Sequence, residues 1–135
     1  MTIQYSVIVR NAELDAIETA IATTPIMTIN SGAAPTTCAD ANTGTILATL
    51  NLPSDWMLDA AAGSKSKSGT WQETSADQAG VAGHFRVHHA SNSNCHIQGT
   101  VSLVGSGGDM ELDNTNIGLG QQVTISTFTI TAGNS

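Results

Sequence analysis

Aromatic side chains make up 4% of this 135-residue chain and charged ones 11%, and there are only three prolines and two cysteines. Each shortage closes off a class of protein. Two cysteines, Cys38 and Cys95, cannot frame a disulfide-rich scaffold. They supply either one bridge or two thiols, and a reducing compartment favours the thiols. No apolar run approaches the roughly 20 residues that span a bilayer. The opening Met1-Thr-Ile-Gln-Tyr has neither the basic nor the apolar region of a secretory signal, so the chain is expected to stay in the cytoplasm that makes it. Four Lys and Arg stand against 11 Asp and Glu, a net charge of −7 that repels phosphate backbones and anionic lipid. Neither nucleic acid nor membrane is an expected partner.

The signatures of common catalysis are missing too. There is no Gly-x-Ser-x-Gly elbow, no Walker loop and no Gly-x-Gly-x-x-Gly after a strand. Gly105-Ser106-Gly107-Gly108 precedes a short strand rather than a helix, which does not suit phosphate cradling. Ser64-Lys65-Ser66-Lys67 holds a Ser–Lys pair, but within Ala60–Ser68, the stretch expected to be the mobile loop.

What is present is a β-rich pattern. Val, Ile, Leu and Phe together number 28, a thin supply of core for one domain over 1–135. Ser and Thr number 31, which suits exposed strand faces. One helix is predicted over 6–22: Val7, Leu14, Ile17 and Ile21 share a stripe, Ser6 is an N-cap, and Glu13, Asp15 and Glu18 take the other face. Thr23-Thr24-Pro25 ends it, since the residue before proline leaves the α region.

From 26 to 131 the periodicity is two. Strands are predicted at Ile26–Asn30, at Thr45–Leu52 with Ile46, Ala48, Leu50 and Leu52 inward, and at Ser68–Glu73 around Trp71. Further ones follow at His84–His89, Cys95–Val104, Met110–Leu112 and Gln121–Thr131. Ala90–Asn94 reads as a hairpin loop. In the last strand Val123 and Ile125 differ in parity from Phe128 and Ile130, so a slip at Ser126-Thr127 is needed to bring all four inward. The spacing of turns is that of a sandwich or barrel.

Candidate ligands and acids are few. His84, His88, His89 and His96 lie near Cys95 in sequence, but alternation disperses them and no metal site is expected. Asp55 and Asp59 flank Trp56, and Asp109, Glu111 and Asp113 alternate on one strand face. Trp56 and Trp71 read as core rather than as sugar platforms. No catalytic residue, metal or cofactor is assigned.

Five segments together resemble small virion proteins of tailed bacteriophages. They are Val9-Arg10-Asn11-Ala12-x-Leu14-Asp15-Ala16-Ile17, Leu52-Pro53-Ser54-Asp55-Trp56, Gly83-His84-Phe85-Arg86-Val87, His96-Ile97-Gln98-Gly99-Thr100-Val101 and the closing Val123–Thr131. The likeness covers nearly the whole chain, and its motifs are structural. It implies a jelly-roll-like β-sandwich with one N-terminal helix, non-enzymatic, acting as a capsid decoration or cement protein. Its implied partners are the major capsid protein and further copies of itself, and its implied location is the capsid surface of the virion. The segment with Ile3, Tyr5 and Ile8 either contacts the shell or a neighbour, or packs the helix onto the sheet. Two other readings are kept: a tail or fibre module binding a host glycan through Trp56, and a glycan-cleaving enzyme using Asp55 or Asp59.

Overall fold

The computed structural model describes residues 3–91 and 94–133. One helix, α1 (Val7–Ile21), precedes ten short strands: β1 (Ile26–Ser31), β2 (Ile46–Asn51), β3 (Ser64–Ser66), β4 (Trp71–Glu73), β5 (Gly80–His88), β6 (Cys95–Leu103), β7 (Met110–Leu112), β8 (Asn116–Ile117), β9 (Val123–Ile125) and β10 (Thr129–Thr131). The protein is mainly β with one helix, as the periodicities predict. The loop expected at Ala90–Asn94 joins β5 to β6 in an antiparallel pair, and its Asn92 and Ser93 lie outside the described residues.

The main sheet runs β2-β1-β5-β6-β7, with β8 paired to the start of β5. Every pairing is antiparallel except β6 with β7. Cross-strand partners share a face, so the register sorts the side chains. Met27 lies opposite Leu50 and Val87, and Ile29 opposite Ala48 and Phe85, which makes one face apolar. Thr28 lies opposite Thr49 and Arg86, and Asn30 opposite His84, which makes the other face polar.

A second layer covers the apolar face. It consists of two small antiparallel ladders, β3 with β10 and β4 with β9. Both Trp and both Phe of the chain link it to the sheet. Ring centroids are 6.0 Å apart for Trp56–Trp71, 5.3 Å for Trp71–Phe128 and 5.5 Å for the edge-to-face pair Phe128–Phe85. Such geometries add to the area the rings bury. The indole N–H groups are satisfied internally, Trp56 donating to the Ala22 carbonyl at 3.0 Å and Trp71 to that of Ser68 at 3.0 Å.

Helix α1 begins as expected, with Ser6 Oγ accepting from the Val9 amide at 3.3 Å. Leu14 and Ile21 are buried and Ile17 packs against the core, whereas Val7 of the same stripe is exposed because the first turn stands clear of the body. The helix stops earlier than proline would stop it. Ala22 turns left-handed at φ 71° while its N–H still bonds the Glu18 carbonyl.

Three expectations are corrected. The stretch 60–68 is not a loose loop: Ser64–Ser66 forms β3, and Lys65 within it is 2% exposed. Its ammonium lies 2.6 Å from Asp15 and 2.8 Å from Glu18 and donates to the Leu58 carbonyl at 2.8 Å. Those acids therefore face the body rather than solvent alone. Second, Ile46 points outward and Leu47 is buried in its place, because a bulge sets Ala48 opposite Ile29 and Ile46 opposite Asn30, leaving Leu47 unpaired in the ladder. Third, the last strand is broken into β9 and β10, each with its own partner. The break at 126–128 performs the parity slip, so Val123, Ile125 and Phe128 are buried and Ile130 packs against them.

The ion pair fixes the sign of a pH effect. The hydrogen bond from Lys65, then that from the Ala60 amide, holds the Asp15 carboxyl below its ordinary value. Burial alone would depress Lys65, but the Asp15 and Glu18 carboxylates outweigh it and hold the ammonium above its ordinary value. A carboxyl lowered by folding contributes stability above its unfolded pKa and loses it as pH falls through the folded one. A raised ammonium contributes below its unfolded pKa and loses it as pH rises through the folded one. Urea unfolding should therefore show a plateau around neutrality that declines below about pH 4 and above about pH 10. Lys65→Ala should cost about 1–2 kcal/mol at pH 7, less than the loss of a wholly buried pair because Asp15 and Glu18 keep access to water, and remove this pair's share of both declines.

Candidate functional site

Two surfaces stand out. The first is the N-terminal end. Ile3 is 78% exposed, Ile8 81% and Tyr5 47%, and Val7 and Val9 are exposed beside them. Ile3 and Ile8 are too exposed to pack the helix onto the sheet, and Tyr5 is half-covered. Docking of α1 is done by other side chains. Arg10 Nε donates to the Ala132 carbonyl at 2.9 Å, and Asn11 Oδ1 accepts from the Gly63 amide at 2.9 Å. Asp15 Oδ1 accepts from the Ala60 amide at 3.0 Å and from Lys65. A held helix thus presents a cluster of apolar side chains to solvent at its first turn.

The second is the polar face of the main sheet, which is not open. The segment 32–45 between β1 and β2 crosses it as a strap. Asn42 Nδ2 donates to Asn30 Oδ1 at 2.9 Å, and Asn30 in turn donates to Thr28 Oγ1 at 3.0 Å. The His84 ring, fully buried, is held between the Gly32 carbonyl at 2.9 Å and Asn42 Oδ1 at 3.3 Å. Gln98 Nε2 donates to the Pro35 carbonyl at 2.8 Å. Arg86 Nη2 donates to the Cys38 and Asp40 carbonyls, both at 2.9 Å, while its buried Nε has no partner. Gly44, near the strap's far end, has φ +74°, and a Cβ there would collide with the Ser31 carbonyl oxygen.

Between strap and sheet lies a cavity of about 680 Å³ whose lining includes Thr28, Cys38, Asp40, Arg86, His88 and Cys95. Cys38 in the strap and Cys95 at the start of β6 are free, half-buried thiols with their sulfurs 2.8 Å apart. Burial, followed by the neighbouring Cys95 sulfur, pushes the Cys38 thiol up to about 11.

The remaining candidates disperse. Among the described residues no three His, Cys, Asp or Glu side chains converge to hold a metal ion. His88 Nδ1 donates to the His89 carbonyl, His89 sits by Ser91, and His96 is exposed. Asp55 and Asp59 are exposed, but Trp56 between them is fully buried, as is Trp71, so neither indole offers a stacking face to a sugar. Asp109 accepts from the Thr100 amide and hydroxyl, and Glu111 accepts from the Gly105 and Gly107 amides. The glycine-rich turn thus cradles a carboxylate of its own chain. Ser64 and Ser66 flank a Lys65 already committed to two carboxylates.

The strap's closeness to the sheet was hidden at the level of sequence. Ile3, Tyr5 and Ile8 carried two readings there, a contact or helix packing, and their exposure is what the structure adds. The strap had only its Gly32 and Gly44 as signals.

No protein-family model matches the chain, and comparison with curated proteins and with solved structures returns no match. No helix among the described residues is long and apolar enough to cross a membrane.

Arg86→Met removes the guanidinium whose Nη2 donates to both the Cys38 and the Asp40 carbonyl. It should speed amide hydrogen exchange in segment 32–45 and cost about 1–3 kcal/mol in global stability. Hydrogen-exchange mass spectrometry with urea titration reads both.

Proposed function

We propose that this chain is a non-enzymatic structural protein of a tailed-phage virion, a decoration or cement protein that binds the major capsid protein of the assembled head. The observation that carries the reading is the exposure of Ile8 in the first turn of α1, with Ile3 and the half-exposed Tyr5 in the segment just before it, on a helix that polar bonds hold in place. Exposed apolar clusters of this kind mark protein contact sites, and the resemblance in sequence supplies the kind of partner. A protein that binds only the assembled shell stabilises that shell by mass action. Copies of the chain are proposed to contact one another on the shell, through self-complementary patches where they pair about two-fold axes. A jelly-roll-like sandwich belongs to the same proposal. Two facing layers of short antiparallel strands support it, while the parallel β6–β7 pair is foreign to that architecture.

The double variant Ile3→Ser, Ile8→Ser tests the contact. Each aliphatic side chain contributes about 1.5 kcal/mol or more when buried in an interface. Binding to heads stripped of this protein should therefore weaken at least about 100-fold. Thermal unfolding of the free protein should move little, since both residues are exposed. Unchanged head binding, or a copy number in purified particles far below a simple fraction of the major capsid protein, would sink the cement reading.

A further inference from the structure

The strap is attached to the sheet by hydrogen bonds from Arg86, Asn42 and Gln98 and by one further contact of a different kind, the meeting of two thiols. Cys38 belongs to the strap, and Cys95 opens β6, paired with His88 at the end of β5. Their sulfurs are 2.8 Å apart across 57 positions of sequence. A disulfide bond needs about 2.05 Å, so the pair joins with a shift of less than about 1 Å. Both side chains line the open cavity, which gives a small reagent access.

We propose that Cys38 and Cys95 form a redox latch, a thiol pair that a low-molecular-weight disulfide of the glutathione class converts to an intramolecular disulfide, locking the strap 32–45 onto the polar face of the sheet. The chemistry is thiol–disulfide exchange. One of the two thiols loses its proton and attacks the reagent, breaking its S–S bond, forming a mixed disulfide and releasing one small thiolate that takes up that proton. The other thiol then loses its proton and attacks the protein sulfur of the mixed disulfide, expelling the second small thiol. The protein gives up two electrons and two protons, and the reagent is reduced to two thiols. Burial of Cys38 makes the step that uses its thiolate slow at neutral pH and faster as pH rises.

The two states differ in what the strap is free to do. With thiols it is held by hydrogen bonds that open locally, exposing His84, Asn30 and Arg86 to water. With the disulfide the strap is tied covalently to β6, and opening of the cavity requires the sheet edge to move with it. A chain made in a reducing cytoplasm is thereby expected to stiffen on release to an oxidising medium. The latch stands independently of the virion assignment.

The full chain is compared after reduction with a phosphine and after equilibration in mixtures of oxidised and reduced glutathione. The intact mass is expected to fall by two hydrogens, a linked Cys38–Cys95 peptide to appear, and amide exchange within 33–43 to slow at least about tenfold. Cys38→Ser and Cys95→Ser should each abolish the difference between the two conditions, and the wild-type comparison stands even where a variant folds poorly. Glutathione adducts alone, a disulfide-linked dimer, or a bridge that leaves exchange in 33–43 unchanged would each overturn the latch.

Discussion

A buried ammonium with two carboxylates from one helix sets the rest of the molecule. Lys65 has almost no contact with water, and a charge in that position is tolerable only with partners in good geometry. Asp15 and Glu18 are three residues apart, so they project from one side of α1 and fix both its roll and its distance from β3. The Leu58 carbonyl takes a third bond and ties in the chain before β3. Once the helix is set there, Asn11 meets the Gly63 amide and Arg10 reaches Ala132 beyond β10. The first and last segments of the fold are thereby closed on one another. The same placement leaves Ile8, in the first turn of α1, facing solvent, with Ile3 exposed just before the helix.

The sheet shows a second consequence of having little apolar material. One face uses the available aromatics, with Trp56, Trp71, Phe128 and Phe85 forming a continuous stack between layers. Nothing comparable remains for the opposite face, where Thr28, Asn30, His84 and Arg86 are buried all the same. Burying such groups costs free energy unless each finds a partner. The strap supplies most of those partners, using its backbone carbonyls at Gly32, Pro35, Cys38 and Asp40 and the amide of Asn42, and leaves Arg86 Nε without one. A segment of turns and irregular backbone is well suited to this, because its carbonyls are not committed to a ladder.

This division also explains what the sequence could and could not disclose. Features set by neighbours in sequence were legible: the 3.6-residue stripe of α1, the Ser6 cap, the alternation in β5 and β6, the bounds of β7, and the parity conflict between Ile125 and Phe128. Features set by distant residues were not. Lys65 sits among Ser and Gly, where composition reads as loop, and only the helix fifty positions earlier reveals it as buried. Leu47 and Ile46 exchange places through a bulge that depends on the partner strand β1. The strap's attachments join residues 30–42 to residues 84–98, separations that no local pattern carries. Of the candidate site residues, Cys38 and Cys95 were named in sequence as one bridge or two thiols; their proximity was not visible there.

The exposed end is physically unlike a loose hydrophobic tail. A flexible segment loses chain entropy when a partner orders it, and this loss offsets much of what its apolar side chains contribute. Here Val7, Ile8 and Val9 belong to a helix already fixed by Asn11, Arg10, Asp15 and Glu18, so docking orders side chains rather than backbone. The polar bonds of Arg10 and Asn11 lie within one turn of Ile8 along the helix. A net charge of −7 with only 11% charged residues leaves a surface that disfavours nucleic acid yet carries few charges to desolvate on meeting a protein. Rigid support, apolar exposure and low charge density all favour association with a preformed protein surface. They do so through contacts that require no catalytic group, which is why a structural role is the reading we favour over chemistry at Asp55 or Asp59.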